Sequence, residues 1–368
     1  FEAAWRQPLE GLVVTRHGSA GRLARLQVVE TCHPVPDAAS LAAGERVASL
    51  VSGLAADDLV VALVSGGGSA LVTLPAPPLT LADKQAVNRA LLASGMPIQG
   101  MNCIRKHLSR LKGGRLALLA RPARVVSYVI SDIPGDEVAL VASGPTIADQ
   151  RGLAEARALV RLYDLQLPTA ASALLADDRS AAPLPSDPAF DRSIVHLVAS
   201  NRLSLEAAAT LGKRQGLTPS ILSDAVEGES REVAKVHAAM AREVAANDRP
   251  FRKPALILSG GETTVTVGNP GGKGGRNSEF LLSLAISIDG VPGITALAAD
   301  TDGIDGSEQN AGAFADGTTV SRLRAKGLDP RALLKANNAY LAFDALGDLF
   351  APGPTGTNVN DFRAIVVR

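Results

Sequence analysis

The run Asp58-Leu59-Val60-Val61-Ala62-Leu63-Val64 passes without a break into Ser65-Gly66-Gly67-Gly68-Ser69-Ala70-Leu71. A short apolar run closed by a glycine cluster reads as a buried strand and a tight turn into a helix. The same alternation repeats on either side. Strands are predicted at Gly11–Thr15, Asp58–Val64, Arg124–Ser131, Ser193–Ala199, Pro254–Leu258 and Ile294–Ala298. Helices are predicted at Asp37–Leu54, Leu81–Ser94, Arg151–Tyr163, Leu203–Gln215, Glu229–Ala246 and Thr318–Lys326. Strands separated by helices predict an α/β fold with largely parallel sheets and helices on both faces. The β-branched run Thr263-Thr264-Val265-Thr266-Val267, directly after another strand, predicts an antiparallel or mixed part in the second half.

At 368 residues the chain exceeds the roughly 250 to 300 at which one core stops growing, so two domains are expected. The segment Asp177–Arg192, rich in Ala, Pro, Ser and Asp without a period, places their boundary near residue 185, giving domains 1–185 and 186–368. Lys+Arg and Asp+Glu both number 37, so no global basic field holds nucleic acid or an anionic membrane, and any anion must be bound by a concentrated site. Cys32 and Cys103 build neither a disulfide framework nor a four-cysteine zinc site, and a reducing cytoplasm is the default compartment. No apolar run approaches the roughly 18 residues of a spanning helix. The chain opens on Phe1 and not on Met, which reads as loss of residues upstream.

Ligands of α/β folds sit at the carboxyl ends of strands, and the glycine clusters fall there. In Ser65-Gly66-Gly67-Gly68-Ser69 the backbone N–H groups and two hydroxyls suit one anion; a plain tight turn is the alternative. The stretch is not a Walker A loop, which needs a Lys after its last Gly, nor a G-x-G-x-x-G, because Leu71 stands where the final Gly belongs. In Arg105-Lys106-His107-Leu108-Ser109, followed by Lys112-Gly113-Gly114, helical spacing puts Arg105, Ser109 and Lys112 on one face with Lys106 nearby. This is either a solvated basic helix or an anion site closed by the glycine pair. Asp132, and Asp302 and Asp305 in Asp300-Thr301-Asp302-Gly303-Ile304-Asp305-Gly306, are candidate Mg2+ ligands at strand ends, with Asp-Gly turn chemistry as the alternative. Gly271-Gly272-Lys273-Gly274-Gly275-Arg276 reads as a mobile anion-binding loop able to bring Lys273 and Arg276 to a developing phosphoryl charge. Asn358 lies in a polar tail, and His33 in a rigid pre-helix turn within reach of a ligand. No H-E-x-x-H, paired C-x-x-C or G-x-S-x-G occurs, against zinc-hydrolase, zinc-finger and serine-hydrolase readings.

Taken in order, His33-Pro34-Val35-Pro36-Asp37, Ser65–Leu71, Arg105–Ser109, Gly260-Gly261-Glu262-Thr263-Thr264, Gly272–Asn277, Thr301–Gly306 and Gly353–Asn358 resemble the glycerate 2-kinase family over essentially the whole chain. That family is also called MOFRL and is often labelled hydroxypyruvate reductase. The resemblance implies transfer of the γ-phosphoryl group of ATP, with Mg2+, to the carbon-two hydroxyl of D-glycerate, giving 2-phosphoglycerate. NAD(P)H-dependent reduction of hydroxypyruvate is the alternative. It further implies a Rossmann-like three-layer N-terminal domain, a second α/β domain with a mixed sheet and the MOFRL-like region from about residue 254, and a cleft between the domains. By the same resemblance Arg276 matches the catalytic arginine. Ser65 to Ser69, Arg105 and Lys106 match phosphate and substrate groups, with His33 and Asn358 beside them. The partners implied are D-glycerate and a nucleotide, with a homodimer allowed. Family members carry a Gly-Lys-Ala-Ala type segment with a catalytic Lys upstream of the position of Phe1; a polypeptide without it is expected to lose most kinase activity.

Overall fold

The computed structural model describes Phe1 to Arg368, which form two compact units: residues 1–130 with 137–198, and residues 131–136 with 199–368. The first unit holds β1 (Leu12–Arg16), β2 (Gln27–Thr31), α1 (Ala38–Leu50), β3 (Leu59–Val64), α2 (Gly68–Leu71) and α3 (Leu81–Ala93). It continues with α4 (Ile98–His107), α5 (Arg115–Leu119), β4 (Arg124–Ile130), α6 (Leu153–Leu162), α7 (Thr169–Ala176) and β5 (Ser193–Ala199). Strands β1 and β2 pair in parallel; β3, β4 and β5 form a second sheet in that order, with β3 and β4 parallel. Because side chains alternate across a strand, Val60 and Val125 face a core made with Val51, Ala117 and Ala120. Leu59, Leu63, Tyr128 and Val198 stay exposed, so helices cover one face of this sheet where both were expected. A helical core of Val87, Leu91, Met101, Ile104, Leu153, Ala156 and Leu175 ties α3, α4, α6 and α7 together. Since β5 completes the sheet, the chain leaves this unit after Val198, beyond the expected boundary near residue 185.

The second unit holds α8 (Asn201–Arg214), β6 (Thr218–Glu229), α9 (Ser230–Asn247), β7 (Ala255–Thr264), α10 (Arg276–Ser287) and β8 (Ile294–Asp300). Then come β9 (Gly312–Asp316), α11 (Thr319–Ala325), α12 (Pro330–Lys335), α13 (Ala339–Leu346), β10 (Leu349–Phe350) and β11 (Asp361–Val367). Its six-stranded sheet has the order β10-β9-β8-β11-β7-β6, with β6 parallel to β7 and β11 antiparallel to both β7 and β8. The sheet is mixed, as expected, but for a different reason. The segment Ala255 to Thr264 is one strand running through Gly260-Gly261, and Val265 to Val267 lie outside it. Gly261, at φ +121, passes so close to the Val226 backbone that no side chain fits there. One sheet face packs Ile257, Ile365 and Val367 on α9 and α10, and the other packs Leu256, Leu258 and Val366 on Leu205 of α8. No helix is long and apolar enough to cross a membrane.

Candidate active site

In the first unit, β3 delivers Ser65 to Ser69 to the predicted place. Gly67 takes φ +75, and His33 lies against it, with Nε2 3.2 Å from where a Cβ would stand. The N–H groups of Gly66, Gly67 and Gly68 donate to no protein acceptor. The helix that follows, α2, is only four residues long, too short for an appreciable dipole. Ser69 Oγ meets Ser143 Oγ at 3.0 Å, and the Lys112 ammonium donates to both Ser69 O (2.7 Å) and Ser69 Oγ. Arg105, on α4, donates from Nε to Asn88 Oδ1 (3.1 Å) and from Nη1 to Asn102 Oδ1 (3.3 Å). Lys84, from α3, shares Asn88 Oδ1 at 3.3 Å. Burial holds the Arg105 pKa below its ordinary value, and holds Lys112 well below its own with help from the Lys84 and Arg105 charges.

Lys106 does not join this group. Its ammonium pairs with Asp149 Oδ2 at 2.9 Å, both side chains nearly free of solvent, so its charge is neutralised inside the fold. One residue on, His107 is structural as well: its Nδ1 accepts the Ala182 N–H at 2.9 Å. Burial, then the Lys106 and Arg115 charges, hold the His107 pKa down to about 4 from 6.5. The fold therefore requires a neutral ring. This contribution is full above pH 6.5, the unfolded value, and is lost as pH falls toward 4. Denaturant titrations across that window should show a loss on the order of 3 kcal/mol that His107→Gln removes.

In the second unit Arg276 opens α10 and is not part of a loop, because Asp305 caps the helix. The Asp305 carboxylate accepts the N–H groups of Asn277 (2.9 Å) and Ser278 (2.8 Å) and the Ser278 hydroxyl. With both oxygens engaged and the side chain buried, Asp305 is not free to hold a metal, contrary to expectation. The Arg276 fork is fully engaged: Nε on Asp361 Oδ1 (2.6 Å), Nη1 on Glu262 Oε1 (2.7 Å), Nη2 on Asp300 Oδ2 (2.7 Å). Burial alone would lower its pKa, but Asp361, Asp300 and Glu262 together raise it above the ordinary arginine value. Asp361 also accepts from Asn277 Nδ2 (2.8 Å), Thr263 N (3.2 Å) and the wholly buried Arg363 (2.5 Å), whose guanidinium lies over the Phe280 ring.

Arg276, Glu262, Asp300, Asp302 and Asn358 line one cavity of about 600 Å³, within the size range of small-molecule sites. Asn358 Nδ2 reaches Asp302 Oδ2 at 3.4 Å, while Asp302 Oδ1 accepts the Ile304 N–H. Burial raises the Asp300 pKa to about 7 against the pull of Arg276, and burial with the Glu262 charge raises that of Asp132. Lys273 is exposed and 3.6 Å from Glu308, away from the fork of Arg276. Sequence reasoning missed Lys84 and Asn88 in the first unit and, in the second, the meeting of Glu262, Asp300 and Asp361 on Arg276. Lys84 had a signal: it falls on the helical face of Val87 and Leu91, an apolar stripe where a lysine is out of place.

Residues 1–176 match the model of a domain of unknown function, DUF4147, and residues 255–361 match the MOFRL family. A protein of Agrobacterium vitis named "Putative hydroxypyruvate reductase" is 50% identical over 100% of this chain and 83% of its own length. A D-glycerate 2-kinase of Thermotoga maritima is 38% identical over 98% of this chain and 85% of its own. The crystal structure of the Thermotoga maritima glycerate kinase superposes with a TM-score of 0.89 at 37% identity, covering 98% of this chain and 85% of that one. The chain therefore belongs to the MOFRL family of glycerate 2-kinase relatives, as the order of its glycine and arginine motifs implied.

Proposed function

We propose that the protein is a glycerate 2-kinase, transferring the γ-phosphoryl group of ATP to the carbon-two hydroxyl of D-glycerate. The observation that carries this is a pair of basic groups without a carboxylate partner, Arg105 and Lys112, with Lys112 joined through Ser69 to a glycine loop with three free N–H groups. Phosphoryl transfer demands little covalent work from the protein; it needs anions positioned and charge stabilised. Arg105 clamps the glycerate carboxylate, and the loop N–H groups face phosphoryl oxygens. Arg276 supplies charge to the transferring group through Nη1, whose partner Glu262 is half exposed and exchangeable, while Nε and Nη2 stay anchored on buried carboxylates.

The donor set fits magnesium, a hard cation that takes carboxylate and phosphate oxygens. Asp132 and Glu262 are like-charged neighbours. These, with Asp302, are the residues that would hold the ion, which would supply positive charge to offset that of the nucleotide phosphates. Against a nicotinamide reductase stand the missing third glycine and the four-residue α2, which offers no long helix N-terminus to a pyrophosphate. Purified protein given D-glycerate and MgATP should release ADP and show the 2-phospho product by phosphorus NMR; NADH oxidation by hydroxypyruvate without ADP would overturn the kinase reading. Arg105→Ala should raise KM for D-glycerate about 10- to 100-fold, the worth of a charge-assisted hydrogen bond, with a smaller change in kcat. Initial rates over a glycerate series measure both.

A further inference from the structure

Three basic side chains converge in the first unit without a carboxylate partner. Lys84, 4% exposed, and Lys112, 2% exposed, flank Arg105, and none of the three forms an ion pair with a carboxylate. The groups link into one chain: Lys84 and Arg105 on Asn88 Oδ1, Arg105 on Asn102 Oδ1, and Asn102 Oδ1 accepting from Ser143 Oγ at 3.5 Å. Ser143 Oγ meets Ser69 Oγ, which Lys112 contacts. A basic group buried without a carboxylate is costly to charge, and a fold that gathers three such groups has a use for an anion that charges them. A hydroxy-acid carboxylate carries one negative charge, fewer than the cluster is built to meet. A carboxylate and a phosphate on adjacent carbons carry close to three.

We propose that Lys84, Arg105 and Lys112 together form a receptor for a vicinal carboxylate–phosphate, so that the protein holds the phosphorylated acid more tightly than the hydroxy acid. This rests on the kinase reading, in which that trianion is the product. The titratable groups facing Lys84 are Arg105 from α4 and Lys112 from the segment after it, both basic; its remaining neighbours in the chain are amides and hydroxyls. Burial, then the Arg105 charge, hold the Lys84 pKa down to about 7. At pH 8 the free protein therefore carries Lys84 largely neutral, and a bound anion draws a proton onto it.

Isothermal titration with 2-phosphoglycerate, D-glycerate and inorganic phosphate, in two buffers of different ionisation enthalpy at pH 8, tests this. Wild type should bind 2-phosphoglycerate at least tenfold more tightly than D-glycerate, with proton uptake. Lys84→Met should abolish the preference and reduce the uptake while raising Tm, because it removes a buried amine held by a single acceptor, Asn88 Oδ1; a residue serving only the fold would lower Tm. Lys84→Arg, permanently charged, should keep the preference with less uptake, the remainder falling to Lys112. Equal affinities for the two acids in wild type, or a preference that survives in Lys84→Met, would overturn the receptor. ADP release from D-glycerate beside equal affinities sinks the receptor and leaves the kinase reading standing. Lys84-dependent binding of 2-phosphoglycerate without ADP release from any hydroxy acid does the reverse.

Discussion

Arg276→Ala is expected to lower kcat for phosphoryl transfer by at least ~10³-fold while KM for D-glycerate moves no more than a few-fold, the signature of a contact made in the transition state. The size follows from the geometry: a planar guanidinium, fixed by Asp361 and Asp300 at 2.6 and 2.7 Å, meets developing charge without reorganising. The alanine also strips three carboxylates of their partner, so part of any loss could be unfolding. Arg276→Lys separates the two effects. It keeps a positive charge among Asp361, Asp300 and Glu262 but cannot reproduce three contacts in one plane. Its Tm should stay near wild type while its turnover falls almost as far as in the alanine variant. Wild-type turnover in a folded Arg276→Lys would show that the fork does not act on the transferring group.

The largest stability effect is expected at Asp361. Its wholly buried carboxylate accepts from Arg276, Arg363, Asn277 and Thr263, drawing charge from the start of α10 and from its own strand β11. Asp361→Asn keeps the shape and turns an acceptor into a donor against two guanidiniums. Breaking a buried pair from one side costs about 3–5 kcal/mol, because the partner charge is left uncompensated. For a unit of this size the unfolding midpoint should fall on the order of 10 °C. Calorimetry on the whole chain would locate the loss in the second unit's transition, and an unchanged thermogram would show that the arginines find other acceptors.

Most strands of the first unit and the helices with caps at hand were legible from local pattern. Asp37 and Thr80 cap α1 and α3 within a few residues of where the sequence places their starts. Strand β6 was invisible, since Thr218 to Glu229 carries Pro219, polar residues and Gly228 on the edge of the sheet, where packing does not demand an apolar run. The start of α10 was misread as a loop because its cap, Asp305, comes from beyond the helix and leaves no trace beside Arg276. The glycine loop and Arg105 announced themselves by chemistry. Lys106 looked equally eligible, and only its contact with Asp149, far along the chain, distinguishes a neutralised cation from one available to a ligand.

Strand β11, drawn from residues 361–367, lies between β7 and β8 and bonds to both. In time, this makes the second unit a late assembly. During synthesis β6, β7, β8 and β9 are all made before the strand that joins β7 to β8, so the nascent sheet waits as two halves with open inner edges. The interval until residue 367 is released is the period in which the polypeptide most needs protection from its neighbours. A ribosome stalled anywhere between residues 300 and 361 would hold a complete first unit tethered to a second that cannot close.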